Sequence, residues 1–210
     1  MFKPILFNTE MVQAILEGRK MQTRRLIKLP EGMTGRQVGE NGNPDNPIGF
    51  MYPCGIKRPP CNPGDILWVR ETWCYPYTFG KYAYRADCSE FDIIPNPCGK
   101  VSYSANMFRW HPSIHMPKEA ARIFLRVKDV RAEQLGDMRL ADFLSEGVRL
   151  TCAEEGNLAL APLRAHERFS EVWNGTIKPS DLPKFGWDAN PWVWVIEFER
   201  TEKPEGWPKA

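Results

Sequence analysis

The sequence predicts an α+β fold, a small mixed β-barrel with short helices and two large loop insertions, and three observations carry this reading. Runs rich in β-branched and aromatic residues, such as Ile66-Leu67-Trp68-Val69-Arg70 and Trp192-Val193-Trp194-Val195-Ile196, dominate the ordered pattern. Helix signals are few and short. The elements follow the order helix, strand, long loop, strand, insertion, strand, helix, helix, strand, with no internal repeat or heptad, which suits a barrel whose ends are plugged by helices.

Taken along the chain, Asn8 or Thr9 caps a first helix whose apolar residues Met11, Ile15 and Leu16 share a side, and Gly18 supplies the left-handed residue that ends it. From Met21 the alternation of Met21, Thr23 and Arg25 against Gln22 and Arg24 predicts a strand, with Thr23 and Arg25 together on one face and Lys20 in the turn before it. Residues 29–63 are dense in Gly, Pro and Asn and read as an irregular excursion. Pro63-Gly64-Asp65 is a turn that opens a strand over Ile66 to Trp73. Residues 74–110 carry Tyr75, Tyr77, Phe79, Tyr82, Tyr84, Phe91 and Tyr103 with few helix signals. They predict a hairpin-rich insertion whose aromatics form either the core of a small lobe or a platform for stacked bases.

A turn of helix at Lys118 to Ala121 precedes the strongly alternating Arg122 to Val130, a long central strand. Leu140 to Val148 is a short helix closed by Gly147, which leaves Glu146 as its last polar group. Ala165 to Asn174 is a helix with Phe169, Val172 and Trp173 on one side, and Asp188 and Asn190 shape the turn into the closing strand, Trp192 to Glu199. One domain over residues 1–203, with insertions at about 29–63 and 74–110, and a loose tail over 204–210, is the expected organisation.

With 210 residues, 42% hydrophobic and 26% charged, the chain can bury a full core, and a net charge of +2 excludes wholesale coating of nucleic acid. Any contact with a polyanion is therefore local, at Arg19, Lys20, Arg24, Arg25 and Lys28. No window has the apolar length of a membrane span and no signal-peptide pattern opens the sequence, so a cytoplasmic protein is expected. On that footing Cys54, Cys61, Cys74, Cys88, Cys98 and Cys152 are reduced thiols. None forms a C-x-x-C pair, and Pro112 between His111 and His115 breaks the helical spacing a metal would want, so neither metal nor cofactor is expected.

The densest chemistry lies in Gly18-Arg19-Lys20-Met21-Gln22-Thr23-Arg24-Arg25, where a hydroxyl is flanked by cations just past a helix terminus. This is the equipment of a nucleophile, its base and an anion clamp. A solvated basic hairpin would have the same composition.

Four landmarks in order, the Gly18-Arg19-Lys20 step with Thr23 and Arg25, the Pro63-Gly64-Asp65 turn, the helix from Ala141 to Gly147-Val148 and the Trp192-to-Phe198 strand, resemble ASCH-domain proteins of the longer bacterial prophage type. Leu67 to Trp73 and Ser113-Ile114-His115-Met116-Pro117 look like further motifs of that type. The resemblance implies a PUA-like β-barrel and a nucleoside or RNA as partner. The smallest members of the family include hydrolases of N4-acetylcytidine, whose Gly-Arg-Lys-x-x-Thr-x-Arg stretch matches Gly18, Arg19, Lys20, Thr23 and Arg25. Their glutamate falls in the helix that matches Glu146. The sequence departs from them at Met21 and in its two insertions.

By this resemblance Lys20, Thr23 and Glu146 are the catalytic candidates for hydrolysing an acylated exocyclic nitrogen. Arg19, Arg24, Arg25, Trp68, Glu71, Trp73 and His115 are candidates for holding the substrate. Glu71 equally suits an ion pair with Arg70 or Arg122, and His115 a turn bonded to backbone. The same cleft would serve a non-catalytic RNA or modified-nucleotide binding module, or a ribonuclease using Glu146 and Lys20. A plain Lys20–Glu146 salt bridge between two elements is the structural alternative.

Overall fold

The computed structural model describes residues 1–30, 33, 35–39, 47–52, 55–76, 80–88, 93–94, 103–104, 108–157 and 159–208. Tyr77, Phe79, Phe91, Cys54 and Cys98, singled out above, lie outside them. In chain order the strands and helices are β1 (Phe2–Leu6), α1 (Thr9–Leu16), β2 (Gln22–Leu26), β3 (Arg36–Gly39), β4 (Pro47–Tyr52), β5 (Gly55–Lys57), β6 (Ile66–Arg70), β7 (Trp73–Cys74), β8 (Ala83–Tyr84), β9 (Ile93–Ile94) and β10 (Tyr103–Ser104). They continue with β11 (Phe124–Gln134), α2 (Leu140–Ser145), α3 (Cys152–Glu155), α4 (Leu160–Thr176), α5 (Leu182–Phe185) and β12 (Trp192–Thr201).

The main sheet has the order β1-β6-β11-β12-β2. It is open, which corrects the expected barrel: closure needs the end strands to pair, and the order instead stops at two five-residue strands, β1 and β2, the short edges an open sheet tolerates. The α+β class stands. No helix among the described residues is long and apolar enough to cross a membrane.

The chain divides into two compact units, residues 1–18, 65–126 and 200–210, and residues 19–64 and 127–199. In the first unit β1 runs parallel to β6, Phe2 facing Ile66, and β6 pairs antiparallel with the start of β11 through Trp68 and Phe124. Asn8 caps α1, its side chain accepting from the Met11 amide at 2.8 Å, and Gly18 follows at φ +76°, as the sequence predicts. The insertion forms short hairpins, β7 with β8 and β9 with β10. Residues 204–208, expected to be loose, carry Trp207, which is 6% exposed and packs with Met116, Ala120, Ala121 and Phe124. Its Nε1 donates to the Lys118 carbonyl at 3.0 Å, so burial of one large ring ties the tail down.

In the second unit β2 pairs antiparallel with β12, Thr23 opposite Ile196, Arg24 opposite Val195 and Arg25 opposite Trp194. Helices α2 and α4 bury Phe143, Ala165, Phe169 and Trp173 against Val193 and Val195 of β12. Burial there contributes about 1.5–3 kcal/mol per large side chain. The excursion read as irregular contains a three-stranded antiparallel sheet, β3-β4-β5, where Phe50 is fully buried with its ring 4.8 Å from that of Trp192. Asn190 adopts the left-handed φ of +46° and accepts from the Gly136 amide at 2.6 Å, fixing the turn into β12.

Candidate functional site

The site lies within the second unit. Past Gly18 the chain enters β2 through Lys20 and Met21, and the Met21 backbone is held on both sides: its amide donates to the Ser145 carbonyl at 2.8 Å, and its carbonyl accepts from the Phe198 amide at 2.9 Å. This sets the Lys20 side chain against the end of α2. Its Nζ donates to Glu146 Oε2 at 2.6 Å and to the Glu146 carbonyl at 2.8 Å. A helix leaves its last carbonyls without internal partners, and a cation there satisfies one of them. Arg19 makes the same kind of contact one residue on, donating to the Gly147 carbonyl.

Period-two alternation sends Gln22 and Arg24 to the side of α2. Gln22 Nε2 donates to the Asp142 carbonyl at 3.0 Å and to Asp142 Oδ1 at 3.1 Å. Arg24 Nη1 donates to Glu146 Oε1 at 3.1 Å, while its Nη2 lies 3.3 Å from Asp142 Oδ1 and 3.5 Å from Glu133 Oε2 on β11. The two oxygens of Glu146 are thus divided between two cations. Asp142 Oδ2 in turn accepts from the Arg139 amide at 2.9 Å, so one carboxylate closes the start of α2 and faces Arg24.

All of this is buried. The side chains of Lys20, Arg24 and Glu146 are 0%, 1% and 4% exposed. Burial pulls the Lys20 ammonium below the usual lysine value of 10.5; Glu146 opposes it, and Arg25 and Arg24 add to the lowering. Burial likewise lowers Arg25, against Glu146 and Cys61. At Asp142 burial works upward, but the Arg139 amide, Gln22 and Arg24 outweigh it and hold the carboxyl below its usual range.

The structure therefore brings together Lys20, Arg24 and Glu146 of the residues singled out from sequence. Arg24, expected to meet a substrate, is instead spent on carboxylates in the interior, because its place on β2 turns it toward α2. Thr23 is 1% exposed, and Arg25, whose Nη1 donates to the Arg24 carbonyl at 3.4 Å, lies near enough to Lys20 and Glu146 for their charges to act on one another. Lys20 joins the Arg24 side.

Trp68, Glu71, Trp73 and His115 belong to the first unit and have partners there. Glu71, 1% exposed, takes both Nε and Nη2 of Arg122 at 2.9 Å, and burial pushes its carboxyl up against the pull of Arg122. Trp68 lies edge-on to Trp207 at 5.8 Å. Trp73 stacks on His111 at 4.8 Å. His115 is exposed, in a turn of 3-10 helix, with its amide on the Pro112 carbonyl at 3.0 Å.

Sequence reasoning missed Asp142 and Gln22. The signal was available, since Gln22 shares the Arg24 side of an alternating strand and Asp142 lies one helical turn before Glu146. Among the described residues no group of three or more His, Cys, Asp or Glu is arranged to hold a metal ion.

Compared with known proteins, the sequence matches no family model and no curated protein. Among solved structures the fold is similar to an ASCH domain from Lactobacillus crispatus JV V101, at 13% identity and a TM-score of 0.35, over 96% of this chain and 80% of that one.

Proposed function

We propose that the protein acts on a nucleoside or on RNA and hydrolyses the amide of an N4-acylated cytidine or related base at Lys20, Thr23 and Glu146. The observation that carries the reading is the buried Lys20–Glu146 pair, 2.6 Å apart, with the lysine's pKa drawn down by burial. A lysine that gives up its proton more readily is a better base near neutral pH, and a carboxylate bonded to it holds it in place. Hydrolysis breaks the bond between the acyl carbon and the exocyclic nitrogen. Water supplies hydroxyl to the acyl carbon and a proton to the leaving amine.

Two assignments use these residues. In one, Thr23 attacks and Lys20 takes its proton; in the other, Glu146 activates water and Thr23 hydrogen-bonds the substrate. In both, Arg25 stabilises the developing oxyanion.

One observation favours a second reading. Lys20 and Arg24 are closed off from solvent and engaged by carboxylates, as in a structural ion-pair network, which speaks against turnover at this pair and leaves a module that binds RNA or a modified nucleotide through other residues. Incubating wild type, Lys20→Met and Glu146→Gln with a panel of N4-acylated cytidines, and following cytidine release chromatographically, separates the two. The hydrolase reading expects release by the wild type and a loss of at least roughly 100-fold in variants that keep the wild-type circular dichroism. No release by the wild type, with retention of labelled RNA, favours the binding module.

A further inference from the structure

Arg24 occupies an unusual position. It is a neighbour of the Lys20–Glu146 pair on β2 and its side chain is 1% exposed. Its guanidinium faces three carboxylates, Glu146 Oε1 at 3.1 Å, Asp142 Oδ1 at 3.3 Å and Glu133 Oε2 at 3.5 Å. Nη1 makes a well-formed hydrogen bond to Glu146, Nη2 meets Asp142 and Glu133 only as longer ion-pair contacts, and among the described residues Nε has no hydrogen-bond partner. Leaving a donor of a buried guanidinium unmet is costly. A side chain serving stability alone would sit where its planar fork is fully engaged, as that of Arg122 is on Glu71.

We propose that Arg24 is a positioning residue for the Lys20–Glu146 pair: by taking Glu146 Oε1 it fixes the carboxylate with Oε2 toward Lys20, and it keeps Glu146 from neutralising Lys20 alone. As a role in hydrolysis this rests on the function proposed above; as a control on Lys20 it does not. The charged groups that act on Lys20 are Glu146, at the C-cap of α2, and Arg24 and Arg25 from β2; Asp142 of α2 and Glu133 of β11 face Arg24. Removing Arg24 takes away a cation and leaves both oxygens of Glu146 to Lys20. Each change favours the protonated lysine, the reverse of the lowering that Arg24 exerts on Lys20 in the intact site.

The test follows the titration of Lys20 in full-length protein carrying carbon-13 at lysine Cε, with the Lys20 signal identified by its loss in Lys20→Met. In Arg24→Gln, Lys20 titrates at higher pH than in the wild type, and Arg24→Lys, which keeps the cation, returns part of the way. A folded Arg24→Gln with an unmoved Lys20 overturns the proposal. So does failure of both variants to fold, which assigns Arg24 to stability alone. Where N4-acylated cytidine is cleaved, the pH dependence of kcat/KM in Arg24→Gln moves upward with the lysine. If the wild type cleaves none of the panel while the Lys20 titration still moves, the hydrolase reading fails and the control of Lys20 by Arg24 stands.

Discussion

Removing Glu146 leaves two cations in the interior with a partner lost, and the cost follows from the distances. At the 2.6 Å separation of Lys20 Nζ and Glu146 Oε2, an effective dielectric of about 20 gives an attraction of roughly 6 kcal/mol, set against a desolvation cost of several kcal/mol per ion. The intact pair therefore comes close to neutral. Breaking it is not neutral, because the desolvated lysine stays behind, and Glu146→Gln should destabilise by about 3–5 kcal/mol. Lys20→Met removes the stranded charge, so the Lys20→Met/Glu146→Gln double variant should recover about 2 kcal/mol of the summed single losses. Urea unfolding followed by tryptophan fluorescence measures all four proteins. A Glu146→Gln variant within about 0.5 kcal/mol of wild type, or strictly additive losses, would refute the reasoning.

Lys20 also sets a pH dependence. Its folded pKa lies below its unfolded value of 10.5, so over the window between the two the unfolded chain holds the proton that the folded chain has released, and its contribution to stability rises with pH toward 10.5. Urea midpoints from pH 7 upward should rise relative to those of Lys20→Met over that window; parallel curves would contradict the sign. Trp207→Ala should cost about 3–5 kcal/mol, roughly 10 °C in Tm by calorimetry, and no change would mean the tail does not hold the first unit. Asn8→Ala should cost about 1 kcal/mol in the same assay through loss of its bond to the Met11 amide, with Asn8→Asp close to wild type.

Local chemistry made much of the chain legible. Asn8, Gly18 and Gly147 mark helix ends for steric and hydrogen-bonding reasons that operate within a few residues, and the alternation around Arg122 and Trp192 reports burial of strand faces. What failed depended on pairing. Strand count cannot say whether the end strands meet, so the open sheet was not visible. The Gly and Pro density of residues 29–63 masked the apolar run Pro47 to Tyr52, which forms β4 through partners on either side. At the site, motif spacing pointed to Lys20 and Glu146 through resemblance, while the role of Arg24 depended on which side of β2 faces α2. Trp207 shows the same limit from the opposite direction, because a single ring in a polar tail carries no periodicity.

The pairing of β2 with β12 has a consequence for biogenesis. The cation-bearing strand leaves the ribosome long before its complement: Lys20 precedes Glu146 by 126 positions, and the register partner of Thr23 is Ile196. Until β12 emerges, a segment with Lys20, Arg24 and Arg25 has no strand to join, and the loop that must close is among the longest the chain can form. Its positive charge then acts as a gatekeeper, discouraging neighbouring nascent chains from docking on the waiting strand. The arginines that end up in the folded interior would in that way first protect the chain from its own copies.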